Sequence, residues 1–242
     1  MSFCEDCVKQ VVHDGTPRGT IQTIGGITTY VALPSGDYDK TKAVLFLTDI
    51  FGLTLVNNKA DAFADNGYAT YVPEYLNGDA FPADGDFSKL GEWFANHTAV
   101  QTRPPLDAVI NKLKEEGITS FGATGYCFGG RYVFDLSFEN IIKASVVAHP
   151  SLLQVPGDLN DYVEKSKAPL LICAAEEDGQ YPVESQKIGD TIFAALGDNY
   201  KRAYFPGTSH GFAVRGDLSN PQVKAGNEGA LKEAVSWFKK HL

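Results

Sequence analysis

Short apolar runs alternate with segments of helical periodicity along this 242-residue chain, and no other feature of the sequence constrains the fold as strongly. Strands are predicted at 26–33, 43–47, 68–73, 118–123, 144–148, 170–174 and 202–205. Helices are predicted at 57–66, 89–96, 105–116, 131–138 and 227–240. Continuous apolar runs of this length are typical of strands buried on both faces of a parallel sheet. The alternation therefore predicts one α/β domain over residues 1–242, with a mostly parallel central sheet and helices on both faces.

Charge and hydropathy exclude several classes of partner. The formal net charge is −9, and no run of Lys and Arg is present to neutralise phosphates, which argues against nucleic acid. No stretch approaches the roughly 18–20 apolar residues that a membrane span requires. The first residues, 1–7, lack the basic and then apolar pattern of a secretory signal. The sequence therefore predicts a cytoplasmic protein that acts on a small molecule and has no nucleic-acid or membrane partner.

The turn after the fourth predicted strand has the pattern of a nucleophile elbow, with cysteine in the position usually held by serine. The hexapeptide GYCFGG, residues 125–130, stands between a predicted strand and a predicted helix, which is the context that makes G-x-S-x-G patterns meaningful. Glycines flank Cys127 because side chains on this strained turn would collide with the strand and the helix. The helix N-terminus favours a thiolate and a developing oxyanion. Cys127 is the candidate nucleophile, and a buried structural cysteine is the alternative.

The other three cysteines give weaker signals. Cys4 and Cys7 form a CxxC, but no second CxxC or Cys-His pair accompanies it to complete a zinc site. It also lacks the strand-then-helix context of a redox motif, so no metal site is predicted. Cys173 lies inside an apolar strand, where a small core residue is expected.

A cysteine nucleophile needs a base within hydrogen-bond reach, and two histidines follow predicted strands at the edge where open α/β sheets carry their sites. His210 comes after strand 202–205, and His149 ends strand 144–148. The order of nucleophile, acid and then histidine favours His210 as the base, with His149 as a residue of the pocket. Two further histidines are interpreted as surface residues: His13 and His97.

The acid that orients the base is expected after strand 170–174, where three carboxylates are adjacent: Glu176, Glu177 and Asp178. Asp178 is favoured because a glycine follows it and a proline stands four residues later, which fixes a turn that can aim a short side chain. The two glutamates are interpreted as solvated. The resulting order of nucleophile, acid and histidine is that of α/β-hydrolases.

Taken together, these motifs resemble the dienelactone hydrolase family of α/β-hydrolases, carboxymethylenebutenolidase-like enzymes, here of the eukaryotic or fungal type. The matching segments are 48–52, 125–130, 177–178 with Pro182, and 207–213, and similarity runs from about Gly25 to the final helix. The resemblance implies hydrolysis of small lactones or esters by a Cys-Asp-His triad through a thioester, without a metal or an organic cofactor. It also implies a monomer or homodimer.

The backbone N–H of Phe128 is expected to meet the oxyanion, and the resemblance adds that of Ile50. Asp49 stands where the family has a glutamate that helps control the protonation of the thiol. Tyr75, in a loop after a strand end, is expected to line an apolar pocket, with core packing as the alternative.

Arginines bind the substrate carboxylate in bacterial members of the family, one of them shortly after the histidine. Val214 occupies that position here and Arg215 follows it, while Arg103 is a further candidate cation without a supporting motif. These departures argue against the typical dienelactone itself, while small dienelactone-like lactones or esters are the predicted substrate class. Two other functions also fit the sequence: a catalytically weak binding or regulatory protein on a hydrolase scaffold, and a redox-sensing thiol protein.

Overall fold

The computed structural model describes residues 16–55 and 57–242, so Cys4, Cys7 and His13 lie outside the described residues. The strands are β1 (Thr20–Ile24), β2 (Ile27–Ala32), β3 (Lys42–Leu47), β4 (Ala69–Pro73), β5 (Ser120–Tyr126), β6 (Ala144–Ala148), β7 (Leu170–Glu177) and β8 (Tyr200–Ser209). The α-helices are α1 (Asn57–Asp65), α2 (Leu90–Asn96), α3 (Ala99–Glu115), α4 (Phe128–Phe138), α5 (Gly157–Lys165), α6 (Val183–Phe193), α7 (Phe212–Arg215) and α8 (Pro221–His241). Short 3₁₀ helices cover Gly52–Leu55, Phe87–Lys89 and Ala194–Asn199.

The described strands form one sheet in the order β1-β2-β4-β3-β5-β6-β7-β8. β1 and β2 form an antiparallel hairpin and β2 also runs antiparallel to β4, whereas every neighbouring pair from β4 to β8 is parallel. The prediction of a mostly parallel α/β sheet is confirmed. Within the described residues, no helix has the length and apolar character needed to cross a bilayer.

Helices cover both faces of the sheet, as predicted. On one face Leu106 of α3, Val133 of α4 and Leu159 of α5 are fully buried in a common core. On the other face Phe63 of α1 and Phe238 of α8 belong to a second core. The strands between these layers are apolar on both sides, which is why they appear in the sequence as continuous apolar runs.

Several elements differ from the sequence prediction. β1, α5, α6 and α7 were not predicted: β1, α5 and α6 carry many polar residues, and α7 is a single turn of four residues. Helix α3 begins at Ala99 instead of the predicted 105, since the Gln101 side chain accepts a hydrogen bond from the Thr98 N–H at 3.1 Å and caps an additional turn. Helix α8 also begins six residues early, at Pro221, where the Asn220 side chain caps it.

The parallel strands bring distant loops to one edge of the sheet. Ile50 follows β3, Cys127 follows β5, Ser151 follows β6, Asp178 follows β7 and His210 follows β8. Because these strands all run in the same direction, their carboxyl ends meet at that edge, where open α/β sheets bind ligands. The fold therefore collects chemically active side chains from five separate loops.

Candidate active site

Cys127 occupies a strained turn between β5 and α4. Its φ of 50° and ψ of −113° lie in a region that non-glycine residues rarely adopt. The surrounding structure holds it there, because the Cys127 N–H donates to the Ala148 carbonyl at 3.2 Å and the Cys127 carbonyl accepts from the Ser151 N–H at 3.0 Å. The side chain is buried but reaches the pocket. This is the strand–turn–helix geometry that the hexapeptide predicted.

The glycines of the elbow allow β3, β5 and α4 to approach closely. A Cβ at Gly129 would lie 2.2 Å from the Leu47 carbonyl oxygen, and one at Gly125 would lie 2.5 Å from the Gly129 carbonyl oxygen. Both distances are shorter than any real Cβ contact. The absence of these side chains brings the N-terminus of α4, at Phe128, against the end of β3. The loop after β3 then places Ile50 in the lining of the same pocket as Cys127.

His210 and Asp178 form a buried pair beside the elbow. His210 Nδ1 lies 2.8 Å from Asp178 Oδ1, and both side chains are 1% exposed. Nδ1 must donate because an ionised carboxylate only accepts. The same carboxylate oxygen accepts from the backbone N–H groups of Gln180 and Tyr181 at 2.8 and 3.1 Å. These bonds fix the orientation of Asp178, as the turn chemistry predicted, while Glu176 and Glu177 are exposed.

Cys127 and His210 shift each other's protonation. Burial raises the pKa of the Cys127 thiol, but the charge of His210, a hydrogen bond to His210 and the charge of Arg215 bring that pKa below its ordinary value. Burial lowers the pKa of His210, while the charges of Asp178 and Cys127 raise it to about 10. The two shifts favour a thiolate beside an imidazolium, which is the reactive form of a cysteine nucleophile.

Ser151 supports the sulfur atom and was not identified from the sequence. Its hydroxyl donates to Cys127 Sγ at 3.1 Å from the loop after β6. Its position three residues past a strand end, at the same edge as the elbow, was the signal that could have identified it. Ser151 adds a second donor that favours the charged form of the thiol.

Asp49 is paired with Arg215. Arg215 Nε donates to Asp49 Oδ2 at 3.0 Å, with 2% and 1% of the two side chains exposed. The Phe51 N–H donates to Asp49 Oδ1 at 3.0 Å, and the Arg215 guanidinium lies 5.3 Å from the centre of the Phe51 ring. Asp49 therefore acts on Cys127 through its charge, which raises the pKa of the thiol.

A pocket opens from the elbow to solvent. Its lining residues are Ile50, Phe87, Leu90, Phe94, Cys127, Ser151, Gln180, His210 and Arg215. Most of the apolar wall comes from the 3₁₀ helix at 87–89 and from α2. Among the described residues, no group of three or more His, Cys, Asp or Glu side chains is placed to hold a metal ion.

Tyr75 and His149 lie behind the pocket and do not line it. Tyr75 is fully buried, its ring stacks on Phe128 at 6.1 Å, and its hydroxyl donates to the Thr48 carbonyl at 2.7 Å. The expectation that Tyr75 lines the pocket is thus corrected, since core packing takes up its ring. It anchors the loop that carries Asp49 and Ile50.

The His149 ring stands edge-on to the His210 ring, with 5.0 Å between the ring centres. The backbone of His149 has a positive φ of 38°. Neither of its ring nitrogens has a hydrogen-bond partner within the part of the chain that is described. Burial, together with the charges of His210 and Arg215, holds the pKa of His149 well below its ordinary value. His149 is therefore a neutral ring that packs against His210.

Two other predicted residues lie elsewhere. His97 was interpreted as a surface residue, but it is buried and stacks on Trp93 with 3.8 Å between the ring centres. His97 caps the C-terminus of α2, and its ring turns inward to the carbonyls of Trp93 and Leu76, which explains the error. Arg103 pairs with Asp107 and Glu139 at 2.7 and 2.6 Å and is absent from the lining of the pocket.

Comparisons of sequence give a consistent set of similar proteins. A model of the dienelactone hydrolase family matches residues 27–242. Hydrolase pyvD from Aspergillus violaceofuscus is 35% identical over 240 residues, covering 98% of this chain and 96% of that protein. Dienlactone hydrolase 1 from Gibberella moniliformis is 32% identical over 244 residues, covering 96% of this chain and 91% of that protein.

Two solved structures share the fold. The dienelactone hydrolase from Anabaena variabilis superposes with a TM-score of 0.64 at 16% identity, covering 95% of this chain and all of the other. P91, a dienelactone hydrolase-like promiscuous phosphotriesterase from metagenomic libraries, superposes with a TM-score of 0.68 at 18% identity, covering 91% of this chain and 96% of the other. At these identities the likeness extends to the α/β-hydrolase fold alone.

Proposed function

Because this chain belongs to the dienelactone hydrolase family and is an ester and lactone hydrolase, we propose that Cys127, His210 and Asp178 are its catalytic triad and that the reaction passes through a thioester. The observation that most supports the triad is the buried 2.8 Å contact between His210 Nδ1 and Asp178 Oδ1, beside a cysteine whose pKa is lowered. Nucleophile, base and orienting acid are thus present in the relation that nucleophilic catalysis requires.

In the first half of the proposed reaction, Cys127 Sγ attacks the carbonyl carbon of the ester or lactone. The carbonyl oxygen becomes an oxyanion, which accepts hydrogen bonds from the backbone N–H groups of Phe128 and Ile50. The C–O bond then breaks, and the leaving oxygen takes the proton that His210 carries on Nε2. In a lactone this oxygen stays tethered to the acyl group, so the acyl-enzyme retains the whole substrate.

In the second half, His210 Nε2 accepts a proton from water while the water oxygen attacks the thioester carbon. The C–S bond breaks, and the carboxylic acid product leaves as Cys127 returns to a thiolate. A thiolate departs readily from a tetrahedral intermediate, so cleavage of the C–S bond competes with cleavage of the C–O bond. The reaction therefore proceeds only when the oxygen leaving group is a good one. The site therefore suits activated esters and enol lactones, and it is expected to be poor on amides.

The supporting residues have separate roles in this proposal. Tyr75 holds the loop of Ile50 through the Thr48 carbonyl, Ser151 donates to the sulfur, and His149 packs against the His210 ring. Cytoplasmic location, a small-molecule partner and a monomeric or homodimeric state stay predictions from the sequence.

The test is hydrolysis of p-nitrophenyl acetate and a dienelactone by the wild type, Cys127→Ala and Cys173→Ala in parallel. Cys173 is the matched control because it is also buried, but in β7 and away from the pocket. We expect Cys127→Ala to lose turnover and Cys173→Ala to keep it. Full turnover by Cys127→Ala would overturn the triad, and a wild type inactive on both substrates would favour the binding or regulatory protein on a hydrolase scaffold.

A further inference from the structure

We propose that the pocket selects esters and lactones whose acyl part is uncharged and apolar, alkyl or aryl, over those whose acyl part carries a carboxylate. This inference rests on the proposed function and names the substrate class of the same site. The observations behind it are the pairing of the pocket's arginine, the charge of the buried groups around the sulfur, and the chemistry of the remaining lining residues.

The arginine in the pocket is already matched by a carboxylate of the protein itself. Arg215 and Asp49 form an ion pair at 3.0 Å, almost completely removed from water. Separating a buried pair leaves an uncompensated charge, which is strongly unfavourable. A substrate carboxylate would have to compete with Asp49 for this guanidinium. Arg215 therefore serves the architecture of the site and gives little attraction to an anionic substrate.

The ionisable groups around the sulfur carry a net negative charge. Cys127 and His210 are neutral as a pair, whether the proton stays on the sulfur or moves to the imidazole. Arg215 cancels Asp49, and Asp178 then remains as one uncompensated carboxylate, with 1% of its side chain exposed. At short range inside a protein, like charges repel far more strongly than in water. The net negative charge around the sulfur would therefore oppose the binding of an anionic acyl group, whereas a neutral acyl group would not be repelled.

The other lining residues offer a carboxylate no compensation. Four of them are apolar: Ile50, Phe87, Leu90 and Phe94. The two others, Ser151 and Gln180, are neutral, and the Ser151 hydroxyl is used by the sulfur. A carboxylate against this wall would lose its water and gain at most the neutral amide of Gln180 as a donor, without an opposite charge. An alkyl or aryl group would instead gain from burial, at about 25 cal/mol per Å² of apolar surface.

The experiment compares two substrates that differ in one group. p-Nitrophenyl pentanoate ends in a methyl group where mono-p-nitrophenyl glutarate ends in a carboxylate, and the leaving group is the same. For the wild type we expect kcat/KM to favour the pentanoate by at least about tenfold after the spontaneous rate is subtracted. Asp49→Asn should move this ratio toward the glutarate by about tenfold, since it removes one negative charge and the partner of Arg215.

Two further variants control for general damage. Asp49→Glu keeps the charge and should keep the wild-type ratio. Asp107→Asn removes a carboxylate from an arginine outside the pocket and should also leave the ratio unchanged. A wild type that hydrolyses the glutarate as well as the pentanoate overturns the inference while the proposed function stands, and this outcome requires no variant to fold. A wild type inactive on both substrates overturns the proposed function and the inference with it.

Discussion

Replacing Gly129 by alanine is expected to damage the oxyanion side of the elbow. The new Cβ would lie 2.2 Å from the Leu47 carbonyl oxygen and 2.7 Å from that of Thr48, whereas ordinary contact begins at 3.4 Å. The gap to Leu47 must therefore open by about 1.2 Å, and the obstacle is backbone, which cannot rotate away. The N-terminus of α4, with the Phe128 N–H, has to move away from the loop that carries Ile50.

The size of the effect follows from that displacement. A misplacement of about 1 Å at a reacting centre costs on the order of 100-fold in rate, and loss of one oxyanion donor costs about 100- to 1,000-fold in kcat. We therefore expect kcat to fall by about 100-fold or more. Overpacking of this kind also destabilises by roughly 1–3 kcal/mol, which lowers Tm by about 2–4 °C per kcal/mol in a chain of this length.

The assay is kcat on p-nitrophenyl pentanoate together with Tm from thermal unfolding. Gly157→Ala is the matched control, because it makes the same change at the start of α5, where no atom lies within 4 Å of the new Cβ. It should keep the wild-type kcat and a Tm at or slightly above that of the wild type. Wild-type kcat in Gly129→Ala would refute the argument that close approach of α4 and β3 builds the oxyanion site.

Asp178→Asn should lower kcat by about 10³- to 10⁴-fold, because an amide neither stabilises the imidazolium nor holds the required tautomer. The neighbouring Glu177→Gln serves as the control. Equal losses of kcat in the two variants would contradict the choice of Asp178 as the acid. The rate of alkylation by iodoacetamide reports the fraction of Cys127 that is present as the thiolate, once the rate measured for Cys127→Ala has been subtracted. Since His210 lowers the pKa of Cys127 and has its own pKa raised to about 10, the alkylation rate should reach its plateau at a pH below the one at which an ordinary thiol titrates, about 8.5. Ser151→Ala removes a donor to the sulfur and should move the midpoint of this profile to higher pH. A wild-type alkylation rate that rises with pH around a midpoint of about 8.5 would contradict the thiolate–imidazolium pair of Cys127 and His210.

Local sequence predicted the elements that build the elbow. The apolar run before Gly125, the glycines around Cys127 and the helix after them are encoded in about twenty consecutive residues, so strand, turn and helix could be identified without any tertiary contact. The chain order of Cys127, Asp178 and His210 added the acid and the base, because parallel strands place successive loops at one edge. These predictions depend on short-range pattern and on topology, which sequence carries directly.

Other features of the site depend on contacts between distant loops. Asp49 and Arg215 are 166 residues apart, and no local pattern indicates that they meet. Ser151 reaches Cys127 because β5 and β6 pair with Tyr126 opposite Ala148. The sequence by itself therefore determined the fold class, and it predicted the nucleophile and the order of its partners. The tertiary structure decided how the arginine is paired and which groups line the pocket, because both depend on how loops of separate strands pack, and that packing is set by sheet register and core volume together.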